Sequence, residues 1–240
     1  MKIEVWSDYA CPFCYIGKRR LENALSQFPD RDQVEVVFRS FELDPNASVN
    51  ETRDIHELLS LKYGMAREQA VQMNNQLAEQ ARGVGLTFNF DTLKPTNTHD
   101  GHRLSHYAKT QGKEAELNER LLRAYFTDSL NVGDHEVLAK LAAEVGLDEA
   151  EVLAVLKNGD YDAEVDADIE AARRLNVNGV PFFVFNNKYA VSGAQPGPVF
   201  SEVLDTVWAE EKKSPALQVL GSTGPADAGD DGCADGSCKL

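Results

Sequence analysis

Apolar and polar side chains alternate from the first residues. Ile3, Val5 and Trp6 are set among Lys2, Glu4 and Ser7, which predicts a strand. From Pro12 to Phe28 the interval lengthens, with Ile16, Leu21, Ala24, Leu25 and Phe28 three to five positions apart, which predicts a helix. Val34, Val36 and Phe38 then alternate with Glu35, Val37 and Arg39 as a second strand, closed by a turn at Asp44-Pro45-Asn46. Strand, helix and strand make a βαβ unit.

From Asp54 to about Asn176 the period becomes helical throughout: Leu58 to Leu61, Val71 to Ala81, Leu117 to Phe126, and Val137 to Val145. Breaks fall at Gly64, Gly83 to Asn97, Gly112, Asn131 to Asp134, Gly146 and Asn158-Gly159. Strand character returns in Phe182-Phe183-Val184-Phe185, and a turn at Asn186-Asn187-Lys188 leads into Tyr189-Ala190-Val191, so a hairpin is expected. A last amphipathic helix runs from about Pro198 to Lys212. The rest, rich in Gly, Ala, Ser and Asp, carries no apolar period and reads as a mobile tail. The expected layout is an α/β fold made from residues 1–50 and 177–212, a large all-helical insertion over 51–176, and an acidic tail over 213–240.

Composition narrows the functional classes. A chain of 240 residues with 42% apolar and 26% charged side chains is an ordinary globular protein rather than a disordered or fibrous one. A chain of this length buries roughly 70–75% of its unfolded surface unaided, so its 4 cysteines are not its staples. They call for a chemical explanation. The net charge of −15 argues against nucleic acid and anionic membranes as partners. No run of ~18 apolar residues predicts a membrane span, and the first eight residues contain no apolar h-region, so a cytosolic address is expected. Thiols there are kept reduced, and paired cysteines are more often catalytic or metal-binding than structural.

Cys11-Pro12-Phe13-Cys14 falls between the first strand and the first turn of the following helix. A thiol at a helix N-terminus faces unpaired N–H groups and the positive end of the macrodipole, which favour thiolate. Pro12 suits the first helical position, where its missing N–H costs nothing. Cys11 is the expected nucleophile, and Cys14, one turn on, the resolving cysteine that attacks a mixed disulfide. Lys18 and Arg19 offer positive field or are simply solvated. A zinc site would need two more ligands, and His56, His99, His102, His106 and His135 stand nowhere near the motif in sequence, so no metal is expected. Neither flavin nor nicotinamide is implied, because no G-x-G-x-x-G follows a strand. No cofactor is expected.

Gly179-Val180-Pro181-Phe182 stands just before the hairpin. Together with C-x-x-C after the first strand, it resembles the thioredoxin-like superfamily. The long helical insertion makes the chain to about residue 212 similar to the DsbA family, and its FrnE-like branch fits Trp6 to Cys14, Asn97-Thr98 with His102-Arg103-Leu104, and Gly179 to Val184. The resemblance implies a thioredoxin-like fold of βαβ and ββα halves and a thiol–disulfide oxidoreductase acting on disulfide- or thiol-containing proteins. It also implies that Pro181 is cis and lies against the active pair, and that Val180 pairs with an extended substrate, beside Pro12 and Phe13. Many relatives carry a buried acid in the strand before the first cysteine, where this chain has Val5. Asp8 is then the nearest candidate proton acceptor, a solvated loop residue being its bland alternative. DsbA proper has His between its cysteines; Pro12-Phe13 here implies a less oxidising couple.

Cys233-Ala234-Asp235-Gly236-Ser237-Cys238 lies in the tail as a candidate second redox pair, a weak metal knuckle or a dispensable end. About twenty flexible residues span ~25 Å, against a radius of gyration of ~18 Å for the whole chain, so the tail can reach Cys11. Asp227, Asp230, Asp231 and Asp235 disfavour thiolate there. That favours electron flow from Cys233 and Cys238 to an oxidised Cys11–Cys14 disulfide. Glutathione or a thioredoxin-type reductant is the other expected electron source. The rival readings are a glutathione-linked transferase or isomerase of the same fold, and a holdase using the apolar face of the insertion.

Overall fold

The structure, a computed structural model, describes residues 1–213. Strand β1 (Lys2–Ser7), helix α1 (Pro12–Gln27) and strand β2 (Glu35–Ser40) form the βαβ unit, with β1 and β2 parallel and Val5 opposite Phe38. After the helical segment, β3 (Phe182–Phe185) lies antiparallel to β1 and β4 (Tyr189–Ser192) antiparallel to β3, giving a four-stranded sheet in the order β2-β1-β3-β4. The hairpin turns on Asn186 and Asn187, both left-handed (φ 48° and 54°), the backbone that matches the twist of the strands it joins. Each of these elements lies within two residues of its sequence-predicted bounds.

Alternation along β1 assigns the two sheet faces. Ile3 and Val5 point with Phe183 and Phe185 toward α1 and the final helix α9 (Gly197–Lys213), where Leu21, Phe200 and Leu204 complete a buried core. Glu4 and Trp6 point the other way. Trp6 packs with Val184, Val177 and Ala172, the last on helix α8 (Asp162–Arg174), and its indole N–H donates to the Asp168 carbonyl at 3.0 Å. On the same face Arg39 bridges Glu4 Oε1 (Nη2 2.5 Å) and Asp168 Oδ1 (2.8 Å). The sheet is therefore sandwiched between α1 with α9 and α8, the last element of the helical stretch.

Between β2 and α8 the chain forms α2 (Ile55–Tyr63), α3 (Arg67–Arg82), α4 (His99–Thr110), α5 (Glu114–Phe126), α6 (His135–Glu144) and α7 (Glu149–Asn158). Their core contains Leu77, Phe88, Leu104, Leu121, Phe126 and Leu138, and it also takes in Tyr9, Tyr15 and Ile16. Helix α1 is thus buried on two sides, by the sheet through Leu21 and Ala24 and by the helical segment through Tyr15 and Ile16. Its N-terminus stands at the junction between the two cores.

Candidate active site

At the end of β1 the chain turns through Asp8 to Ala10, and the Cys11 N–H donates to the Asp8 carbonyl at 3.1 Å. Cys11 is the N-cap of α1, with extended backbone (φ −94°, ψ 110°), and Pro12 opens the helix. The Cys11 side chain makes no capping bond, and the first turn of α1 holds no acidic residue. Its sulfur is left at the positive end of the helix, with no carboxylate in that first turn. Cys14 follows one turn on, its N–H donating to the Cys11 carbonyl at 3.0 Å. Both thiols are unbridged and buried, Cys11 at 4% exposure and Cys14 at 2%.

The environment distinguishes them. Cys11 Sγ donates to the Val180 carbonyl oxygen at 3.4 Å. The Val180–Pro181 peptide is cis, and the Pro181 carbonyl accepts from the Gly193 N–H at 2.8 Å, tying this loop to the end of β4. Gly17 on α1 makes room for it, since a Cβ there would stand 3.0 Å from Pro181 Cγ and 3.2 Å from Phe183 Cζ. Cys14 Sγ instead accepts from the Asp8 backbone N–H at 3.5 Å. Burial, reinforced by neighbouring Cys11, pushes the Cys14 thiol well up in pKa, against the Ser7 hydroxyl and the Asp8 N–H.

Asp8, 1% exposed, is a buried member of this site rather than a solvated loop residue. Its Oδ2 accepts from the Leu43 N–H at 2.7 Å, and Oδ1 from the Thr98 hydroxyl at 2.8 Å and the Ala10 N–H at 3.2 Å. His102 Nε2 stands 3.6 Å from Oδ1, within ion-pair range. Burial raises the carboxyl's pKa, but His102, Leu43 and Thr98 together outweigh it and hold the group below its ordinary range. The structure thus brings Asp8, Cys11, Cys14, Val180 and Pro181 together. Cys233 and Cys238 lie outside the described residues.

Around the thiols, Phe13 is 44% exposed, while Pro12 and Val180 are half-buried. Leu43, also exposed, has its N–H anchored on Asp8, a contact no sequence spacing signals. Lys18 and Arg19 supply no free field. Glu119 of α5 pairs with both, and Glu22 takes Lys18 at 2.5 Å and Arg19 at 2.9 Å. Thr98 and His102 stand out in the sequence only as parts of a motif; their role at Asp8 emerges from the packing of α4 against the β1–α1 connection. Among the described residues no group of three or more His, Cys, Asp or Glu side chains is arranged to hold a metal ion, and no helix is long and apolar enough to cross a membrane.

The model of the DSBA-like thioredoxin domain matches residues 2–205. A probable DsbA oxidoreductase from Streptomyces coelicolor superposes with a TM-score of 0.86 at 43% identity, covering 95% of this chain and 100% of that one. YwbO of Bacillus subtilis, an uncharacterized protein, is 30% identical over 218 residues, 88% of this chain and 97% of its own length. A 2-hydroxychromene-2-carboxylate isomerase shares the fold at a TM-score of 0.68 and 14% identity, over 90% of this chain and 100% of that one.

Proposed function

The chain belongs to the DSBA-like thioredoxin domain family, and from that premise we propose that it is a protein thiol–disulfide oxidoreductase in which Cys11 exchanges with substrate and Cys14 resolves. The observation that carries this reading is the asymmetry of the pair. Cys11 Sγ stands at the helix start and meets the loop carbonyl of Val180 at 3.4 Å, whereas Cys14 Sγ meets the Asp8 N–H and is held as a thiol by burial.

Cys11 attacks a substrate disulfide, forming a mixed disulfide and releasing one substrate thiolate. Cys14 then loses its proton and attacks Cys11 Sγ, which frees the second substrate thiolate and leaves the Cys11–Cys14 disulfide. The substrate gains two electrons and the pair loses two; run backwards, the same steps oxidise a dithiol. An extended substrate lies along Val180 and Pro181, with Pro12 and Phe13 as its apolar contacts, and backbone pairing there gives broad sequence tolerance. Cys233 and Cys238 act as an internal dithiol that resets the pair, with glutathione or a thioredoxin-type protein as the external electron source, in a cytosolic setting.

Catalysed reduction of a protein disulfide by a dithiol tests this: Cys11→Ser is expected to abolish turnover, and unchanged turnover would refute the reading. Titrating Cys11–Cys14 against a glutathione redox buffer then fixes the direction, since 30 mV is about 1.4 kcal/mol for a two-electron couple. A glutathione-linked isomerase is the second reading, favoured by the fold shared with the chromene-carboxylate isomerase. It requires glutathione to be retained rather than consumed.

A further inference from the structure

A cavity of about 20 Å³ opens between the end of β1, α4 and α5, with Ser7, Tyr9, His102, Ser105 and Asn118 among its walls. That is room for about one water molecule. Two buried atoms belonging to these walls, His102 Nε2 and Asn118 Nδ2, have no hydrogen-bond partner among the described residues. The amide oxygen of Asn118 is already taken by the Tyr9 hydroxyl and by the Ser105 hydroxyl at 2.8 Å, so its N–H₂ is what remains for a guest. A water there has a donor in Asn118 and an acceptor in His102, which is what holds buried water in proteins.

Ser7 connects this space to the chemistry, for it lines the cavity and directly precedes Asp8, whose backbone N–H meets Cys14 Sγ at 3.5 Å. On the far side, His102 Nε2 faces Asp8 Oδ1 at 3.6 Å. Asp8 itself is a poor direct base for Cys14. Its carboxylate oxygens already accept from Leu43, Thr98 and Ala10, and it is the backbone N–H of Asp8 that meets the sulfur.

We propose that His102 accepts the Cys14 proton, relayed through the Ser7 hydroxyl and one water held by Asn118, and that Asp8 is the positioning counter-ion of the imidazolium so formed. The route rests on Cys11 and Cys14 being the exchanging pair. As Cys14 attacks Cys11 Sγ, the S–H bond of Cys14 breaks and the Cys11–Cys14 bond forms. The bond from Cys11 to the substrate sulfur breaks, and its electron pair leaves on the substrate thiolate. The thiol proton passes to Ser7 Oγ while Ser7 gives its own to the water, which gives one to His102 Nε2. When a dithiol reduces the pair, the proton returns by the same path.

The other charged or titratable groups around the cavity are engaged by partners or driven toward the neutral form by burial. Arg39 is held by Glu4 and Asp168, and His106 Nε2 by Ser40 Oγ and Asp168 Oδ2, both at 3.2 Å. Tyr9 is bonded to Asn118, and burial drives both its hydroxyl and the Glu114 carboxyl toward the neutral form. Among the described residues of this wall, His102 is the base whose Nε2 makes no hydrogen bond, with Asp8 Oδ1 as its ion-pair neighbour at 3.6 Å.

The test uses the full chain carrying Cys233→Ser and Cys238→Ser, mixed with a chromogenic aryl disulfide in a stopped-flow cell between pH 6 and 9. One thiolate is released as Cys11 is loaded and a second as Cys14 displaces it. In His102→Gln the first phase should be unchanged and the second slowed on the order of 10²-fold at pH 7, its rate rising with hydroxide. Ser7→Ala should slow the second phase roughly tenfold and Ser7→Thr, which keeps a hydroxyl, should restore it. A second phase at the parental rate and pH profile in both His102→Gln and Ser7→Ala overturns the route alone. Release of both thiolates from Cys14→Ser overturns the pair and the route with it.

Discussion

The Cys11 sulfur and the Val180 carbonyl oxygen are 3.4 Å apart although 169 positions separate them in the chain. Helix α1 and the loop before β3 approach so closely because Gly17, in the second turn of the helix, presents no side chain to Pro181. The cysteine pair is therefore held by packing between the two halves of the fold rather than by the C-x-x-C turn alone.

Gly17→Val tests that packing. A Cβ at this position would crowd Pro181 and Phe183 at 3.0 and 3.2 Å, and overpacking of this kind costs ~1–3 kcal/mol. The expected result is a lowered melting temperature and, in protein that remains folded, altered alkylation of Cys11 as the Val180 carbonyl is pushed away. Both are read by calorimetry and iodoacetamide kinetics.

Phe13, between the cysteines and 44% exposed, is expected to serve the substrate more than the fold. Burying an aromatic side chain contributes roughly 1.5–3 kcal/mol, so Phe13→Ser should raise KM for a protein disulfide about tenfold or more. Stability, kcat and the rate with a small aryl disulfide should change little.

Strands, the hairpin and the C-x-x-C at a helix start were legible because they rest on local periodicity and on the chemistry of one helix terminus. What surrounds Asp8 was not. Thr98 and His102 come from α4 and Leu43 from the loop after β2, and only packing brings them to a carboxylate at the end of β1. Lys18 and Arg19 failed as sources of field for a similar reason: Glu119, on a helix a hundred positions away, neutralises them. Helix α8 reads by period like its neighbours, and its placement on the sheet follows from Trp6 and Arg39 reaching Asp168.

Asp168 is expected to be a stability residue. It is 3% exposed and joins Arg39, the Ser40 N–H (3.0 Å) and His106 across the far face of the sheet. Removing one partner of a buried pair typically costs 3–5 kcal/mol; with Arg39 partly exposed, Asp168→Ala should cost about 3 kcal/mol in denaturant unfolding.

His99 should make stability depend on pH. Its hydrogen bond to Glu42 Oε1 (2.6 Å), joined by Asp162 Oδ1 (3.0 Å) and opposed by burial, raises its pKa from 6.5 to about 9. A raised folded pKa contributes fully below the unfolded value of 6.5 and is lost as pH climbs through 9. Partial exposure discounts the gain to roughly 1–2 kcal/mol. Unfolding free energy should fall over that interval in the parent protein, and His99→Gln should flatten the fall.

The division of labour within the cysteine pair is tested most directly by trapping. Cys14→Ser and Cys11→Ser are each incubated with an oxidised protein substrate, and the mixed disulfides are mapped by mass spectrometry. A substrate adduct on Cys11 should accumulate in Cys14→Ser, while Cys11→Ser, left with the enclosed Cys14, should remain unmodified over the same time. Accumulation on Cys14 in Cys11→Ser, with Cys14→Ser left free, would contradict the assignment.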